Sequence, residues 1–397
     1  MNAIDVKKYK NGAFDFLQQL IQTPSVNGEH NEGAIVDLIA RKAGELGLDF
    51  VIYEKEKGRP NIYIGQKNLF TSNKELLLVA HSDTVPTGNR ETWDYDPFGG
   101  EVIDEKLYGR GALDCKGGIA INIYALKALY DAGHQNKAKI VIGVDEESGA
   151  DSPFGLKFVL EQGLNARACV YTYGGKLQNT LTIGHRGGLR VWVHCKGETA
   201  HSGSREWQNR TKGASALSAL IKFINEVESL HLETGESEYF PGYNTKLTPT
   251  LMDAGSGESL VPDTAKVLLD IRTMPGQDNL EIVAQLKNIA AKYETDKISF
   301  DIEIKNNVAA VLTNPKSQFV LEAAKLIREV YKFDDSTKLK GSGPYNESYM
   351  LIKSGIPTII GFGPQGEGFH SKNEYAEVQS LEQSLEFLTK LALLERF

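Results

Sequence analysis

The sequence predicts an α/β protein, a sheet with helices on both faces, interrupted once by a compact α+β insert. Three observations carry this. Runs with apolar residues at helical spacing alternate with short β-rich runs as far as Tyr171. Between Gly188 and Gly197 the side chains then alternate with period two, as on a strand with one exposed face. Beyond Pro315 the helix and strand alternation resumes.

Taken in order, Val6 to Ile21 and Glu32 to Leu46 read as helices, and Phe50 to Tyr53, Asn61 to Gly65 and Glu75 to Ala80 as strands. A helix near Gly117 to Ala132, a strand at Lys139 to Val144, a helix near Phe154 to Glu161 and a strand at Ala168 to Tyr171 follow. The insert reads as a strand (Gly188 to Gly197), a helix (Ala214 to Val227), two strands (Thr248 to Met252, Ala265 to Ile271), a helix (Asn279 to Ala291) and a strand (Ser299 to Ile304). Ile356 to Gly361 reads as a buried strand and Leu381 to Leu394 as a closing helix. The boundaries expected are 1–185 with 306–397 for the main domain and 186–305 for the insert, a plausible domain size.

The 397 residues exceed a single small core, at a prior of roughly 150 residues per domain. A net charge of −8 gives no positive field for phosphate backbones, so no nucleic-acid partner is expected. There is no signal-like N-terminus and no run of about 18 apolar residues, so the expectation is a cytoplasmic protein without a membrane partner. Cys115, Cys169 and Cys195 are odd in number and scattered, which argues against a disulfide scaffold and a thiolate zinc site. Any metal falls to histidines and carboxylates.

Five segments could carry chemistry. A predicted strand ends in His81-Ser82-Asp83, at the carboxyl edge where open α/β sheets gather ligands. Asp83 could orient the imidazole toward a metal, although an ordinary loop histidine reads the same way. In LYGRGALDCKGG, glycines permit a tight turn that would press Asp114 into a crowded site, or Asp114 is simply a helix N-cap. VIGVDEESGA ends a buried strand in Asp145, Glu146 and Glu147, whose mutual repulsion calls for a cation unless the turn is solvated. GETAHSG carries His201 in the insert, and GEGFHSKNEY carries His370. His30, His134, His194 and His231 fall in turns, helix ends or an exposed strand face, and His185 reads as a hinge residue before the insert.

With these pieces in order, the chain resembles over nearly its whole length the co-catalytic zinc amidohydrolases that include acetylornithine deacetylase, succinyl-diaminopimelate desuccinylase, aminoacylase and glutamate carboxypeptidase. The sharpest match runs from VAHSDTVP through TWDYDPFGG to LYGRGALDCKGG, and the DEE triplet, TAHSG and GFHSKNEY follow at family-like spacing. The resemblance implies a zinc-peptidase-like catalytic domain with a mixed, mainly parallel sheet, and an inserted lid and dimerisation domain that makes a homodimer. It implies His81 as ligand of one metal, Asp114 as the bridge, and Glu147 and His370 as ligands of the other. It also implies Glu146 as general base, Asp83 as a catalytic-site residue beside His81, a cis Asp114–Cys115 peptide, His201 as oxyanion donor and Arg272 as the grip on a substrate carboxylate. The cofactor implied is zinc, one or two per chain, with cobalt or manganese as substitutes. The activity implied is cleavage of the amide of small N-acyl amino acids, with dipeptidase or carboxypeptidase action, or a catalytically weakened binder of amino-acid derivatives, as alternatives.

Two departures stand out. Where relatives place an Asp or Glu as the second protein ligand beside the first histidine, this chain has Tyr173 in ACVYTYGGK. A neutral phenol is a poor zinc ligand, so the metal nearest His81 is weakly held, or held with solvent or tyrosinate help, or a neighbour such as Asp151 or a carbonyl completes its shell. Relatives also carry Asn where GSGESLVPD has Ser259.

Overall fold

The computed structural model describes residues 4–176, 179–230, 232 and 237–395, and His231 lies outside them. It divides into two compact units, 1–184 with 312–341 and 346–397, and 185–311 with 342–345.

The sheet of the first unit runs in the order Phe50–Glu56, Arg59–Ile64, Ala138–Gly143, Leu76–His81, Ala168–Tyr171, Thr358–Ile360, Thr180–His185. Its middle is parallel: Leu76–His81 pairs in parallel with both Ala138–Gly143 and Ala168–Tyr171, and Thr358–Ile360 in parallel with the latter. Leu76–His81 and Ala138–Gly143 are buried along their whole length, which explains why they read as largely apolar runs rather than alternating ones, Lys139 being a buried exception. On one face Leu77, Val79, Val141, Cys169 and Tyr171 pack with Leu156 and Val159 of the helix Leu156–Glu161. Toward the other lies Lys116–Asp131, a helix whose residues are nearly all buried. At its start a Cβ on Gly118 would stand 2.3 Å from the Thr172 carbonyl, so only glycine lets the helix approach the strand end this closely.

A second, small antiparallel sheet was not visible in the sequence. It orders Gly366–Glu367, Tyr375–Glu377, Lys106–Tyr108 and Val102–Ile103. His370 sits between its first two strands and the Asp114 turn follows its third, so this sheet brings two distant segments together.

The second unit is a four-stranded antiparallel sheet in the order Lys246–Ala254, Thr264–Thr273, Gly187–Lys196, Ser299–Val308. Leu189, Val191, Val193 and Cys195 face Leu220 and Phe223 of the helix Ala216–Glu228 and Leu286 of the helix Asn279–Ala291. Alternation in Gly188 to Gly197 thus reports one helix-covered face, as expected. The strand lies inside the sheet with partners on both sides, and the open edges belong to Lys246–Ala254 and Ser299–Val308. Periodicity encodes which face is buried, whereas strand order is set by pairing.

Candidate active site and metal centre

Strand register builds the first half of the site. His81 pairs with Gly143, so the imidazole and the turn after Gly143 emerge side by side at the carboxyl edge of the sheet. Asp145 adopts φ 60°, and Glu146 to Ser148 form a 3₁₀ turn. This reversal aims the two glutamates differently from Asp145. Asp145 is held away from the centre by Arg59 at 2.8 Å, by Asn27 at 2.9 Å and by Ser152 at 2.6 Å.

The centre itself is Asp114, whose two oxygens face two imidazoles. His81 Nε2 lies 3.0 Å from Oδ1 and His370 Nε2 2.9 Å from Oδ2. Glu147 Oε1 is 3.4 Å from His370 Nε2. Ligand atoms of Asp114, Glu147 and His370 fall within 4.8 Å of one another, as do those of His81, Glu146 and Glu147. The Asp114–Cys115 peptide is cis. Cys115 also comes close to His81 and Asp114, but its Sγ accepts the His81 amide at 3.1 Å and contacts the Thr172 carbonyl at 3.2 Å.

Electrostatics at this centre is dominated by burial and by the two histidines. Burial disfavours the Asp114 carboxylate, yet His370 and His81 outweigh it and pull its pKa down to about 2. Burial likewise opposes the His370 imidazolium, but Asp114 and Glu147 push it up to about 10. His81 is raised as well, with Cys115, Asp114 and Asp83 overcoming its burial. Glu146 is pushed well above the usual carboxylate range by burial, with Glu147, Glu347 and Asp114 adding to it against His81. A buried carboxyl raised in this way suits proton transfer.

Divalent cations fit this donor set. Each oxygen of one buried carboxylate already has a nitrogen donor opposite it, the arrangement of a bridging ligand between two hard or borderline cations. Glu147 Oε1 is buried and accepts no well-formed hydrogen bond among the described residues, which leaves a lone pair for a metal. A cation held here would compete with protons for the imidazole nitrogens, so its binding would depend on pH.

Asp83 is fully buried and does more than face His81. Its carbonyl lies 3.0 Å and its Oδ1 3.4 Å from His81 Nδ1. Its carboxylate also accepts the amides of Glu146 at 3.2 Å and Glu147 at 3.0 Å, and Asn27 Nδ2 at 2.7 Å. One side chain therefore orients the histidine and pins the glutamate turn. Tyr173 is placed beside this centre: its ring packs 5.8 Å from Phe369, whose ring stacks on His370 at 4.5 Å. Burial, with Asp114 and Glu146, raises the Tyr173 phenol, and Asn346 hydrogen-bonds it. Asp151 is in neither ligand group, being engaged by Tyr349 at 2.6 Å and Lys157 at 3.7 Å.

His201 and Arg272 belong to the second unit. His201 Nδ1 accepts the Gly203 amide at 3.1 Å, which leaves the proton on Nε2. Its loop is fastened by Ser202 N to Ser259 O at 2.9 Å, a main-chain contact indifferent to the Ser259 side chain. Arg272 is paired with Asp270 through two bonds of 2.7 and 3.2 Å, and its guanidinium lies over Tyr345. His185 is buried, with Nδ1 2.8 Å from the Arg186 carbonyl, and His194 pairs with Glu303.

Sequence reasoning missed Asn27, Arg59, Glu347 and Glu374. Asn27 and Arg59 carry no local pattern. Glu347 is buried, accepts the Tyr171 hydroxyl at 3.0 Å and is pushed up to about 7 by burial. Glu374 lies within GEGFHSKNEY, where only the histidine carries a ligand signal.

The profile of peptidase family M20/M25/M40 matches residues 77–394. A succinyl-diaminopimelate desuccinylase of Cereibacter sphaeroides is 26% identical over 374 residues, 91% of this chain and 93% of that protein. One from Methylobacterium radiotolerans is 28% identical over 388 residues, 94% and 93% of the two chains. Among solved structures, an M20 family metallo-carboxypeptidase from Sulfolobus solfataricus superposes with a TM-score of 0.73 at 18% identity, over 96% of this chain and 98% of that one. A tripeptidase from Staphylococcus aureus gives 0.71 at 21%, over 97% and 99%.

Proposed function

This chain belongs to peptidase family M20/M25/M40, a metal-dependent hydrolase of amide bonds, and on that footing we propose that it removes the acyl group from small N-acyl amino acids. The observation that carries the reading is the buried Asp114 carboxylate with an imidazole on each oxygen and two glutamates beside it. Two divalent cations held by these side chains would supply a water of lowered pKa and a polarised scissile carbonyl. We take zinc as the natural metal, since nitrogen and carboxylate donors suit it. His81 with Asp114, and Glu147 with His370, hold the two positions. Glu146 accepts the water's proton and delivers it to the departing nitrogen, a role that suits its raised pKa. Arg272 is assigned the grip on the substrate carboxylate.

The test is turnover on N-acetyl and N-succinyl amino acids beside dipeptides, with zinc, cobalt or manganese added. Faster cleavage of dipeptides would move the reading to a dipeptidase or carboxypeptidase. A second reading, a weakened relative that binds amino-acid derivatives, is favoured by Tyr173 in place of a ligating carboxylate. Binding without turnover on the whole panel would establish it.

The second unit is assigned the parts of lid and dimerisation domain. Lys246–Ala254 leaves one strand edge open, and Leu251, Met252 and Ile221 beside it are 57%, 58% and 44% exposed. An open edge flanked by apolar side chains invites pairing with a second copy about a two-fold axis. Light scattering at micromolar concentration is expected to give a dimer, and Leu251→Asp with Met252→Asp a monomer. A wild-type monomer would overturn this part. His201, with its proton on Nε2, is assigned the oxyanion. His201→Ala is expected to lower kcat by about 2.7 to 4 kcal/mol in barrier with KM little changed. An unaltered kcat removes it from the mechanism.

A cytoplasmic location is in keeping with three buried free cysteines. No helix among the described residues is long and apolar enough to cross a membrane.

A further inference from the structure

Glu374 is fully buried, four positions beyond His370. Its Oε1 accepts the amides of Leu113 at 2.8 Å and Asp114 at 3.1 Å. Its Oε2 accepts the Gly111 amide at 3.0 Å and Arg110 Nη1 at 2.7 Å. Its main-chain carbonyl receives the Gly109 amide at 2.8 Å. One residue thus takes hold of the whole turn from Gly109 to Asp114. That turn contains two glycines at positive φ, Gly109 and Gly111, and would otherwise have wide conformational freedom.

We propose that Glu374 is a positioning residue whose carboxylate clasps the Asp114 turn and holds it in register with His370, so that both metal positions keep their geometry. The proposal rests on the metal-centre reading above. A buried ion pair with Arg110 could by itself be charge balance. Three of the four donors to the carboxylate, however, are main-chain amides of the turn, including that of Asp114 itself. The device has a counterpart across the site. Asp83, two residues after His81, accepts the amides of Glu146 and Glu147. Each histidine's segment therefore braces the turn that supplies the opposing carboxylate, His81 to Glu147 and His370 to Asp114.

All four partners of the Glu374 carboxylate are donors, so both oxygens must accept. Glutamine would turn an NH₂ group toward two donors whichever way it lies, and aspartate, one methylene shorter, keeps the charge but loses reach. Metal-free Glu374→Asp and Glu374→Gln should bind cobalt(II) at least about tenfold more weakly than the wild type in a titration followed by its absorption bands. Turnover with saturating cobalt should fall while KM stays near its wild-type value. A folded Glu374→Asp with wild-type cobalt affinity and kcat would overturn the proposal. Should both variants fail to fold, amide exchange in the metal-free wild type decides it. Protected Leu113 and Asp114 amides support the clasp, and free exchange at both refutes it. A wild type that takes up no cobalt would instead refute the metal-centre reading, while the exchange measurement still tests the clasp.

Discussion

Glu146→Gln is expected to abolish hydrolysis, a loss of at least about a hundredfold from the general-base role, with metal content unchanged. The amide keeps the side chain's size but cannot take a proton from water. The turn should stay in place, since its position depends on the Glu146 and Glu147 amides bound to Asp83 rather than on the Glu146 side chain. Glu147→Gln is expected to lower metal occupancy instead, because Glu147 stands with Asp114 and His370 around one position. Both glutamates are close to His81, so the division of labour is what the pair of variants measures. Metal analysis showing loss only in the Glu146 variant would reverse the two roles.

Tyr173→Glu is expected to raise affinity for the second metal by at least about tenfold, roughly 1.4 kcal/mol, and to raise hydrolysis where the new carboxylate reaches the site. On the proposed ligand set the position nearest His81 would be served by His81 and Asp114, where zinc sites favour three or more protein ligands. Asp151 supplies no remedy, being occupied by Tyr349 and Lys157. The phenol of Tyr173 is raised by burial and by the acids around it, which works against ionisation to a better ligand. Purified wild-type protein should accordingly hold closer to one tightly bound metal per chain than two. Two equally tight metals by isothermal titration, with no gain in the variant, would sink this account.

The elements that position the site were legible because their burial is written into local composition. Leu76–His81 and Ala138–Gly143 are largely apolar runs, and Asn279–Ala291 matched residue for residue, helped by an Asp278 side chain that caps its first turn at Leu280. The two-to-three-residue strands around Lys106–Tyr108 and Tyr375–Glu377 have too few residues for any period to show. The ligand candidates stood out as histidines and acids at strand ends, but the groups that hold them did not. Asn27 bridges Asp83 and Asp145, and Glu374 grips a turn more than 250 positions earlier in the chain, so their roles exist only once the sheet is assembled. Strand order in the second unit escaped for a similar reason. Alternation in Gly187–Lys196 says that one face is covered and is silent on neighbours.

The placement of Thr358–Ile360 bears on the order in which the protein is made. This strand lies between Ala168–Tyr171 and Thr180–His185, pairing Ile359 with Val170 and Ile360 with Thr182. On the ribosome both neighbours emerge with an empty lane between them, and the whole of 185–311 must be synthesised before the filler arrives. The hydrophobic cluster of the second unit draws its described residues from 189–302, so all of them have been synthesised before the strand that fills the sheet. Until Thr358–Ile360 slots in, Ala168–Tyr171 presents a bare apolar edge, the kind of surface that chaperones shield and that neighbouring nascent chains seize. His370 comes after that strand in the chain, so the last candidate ligand is also the last to be synthesised.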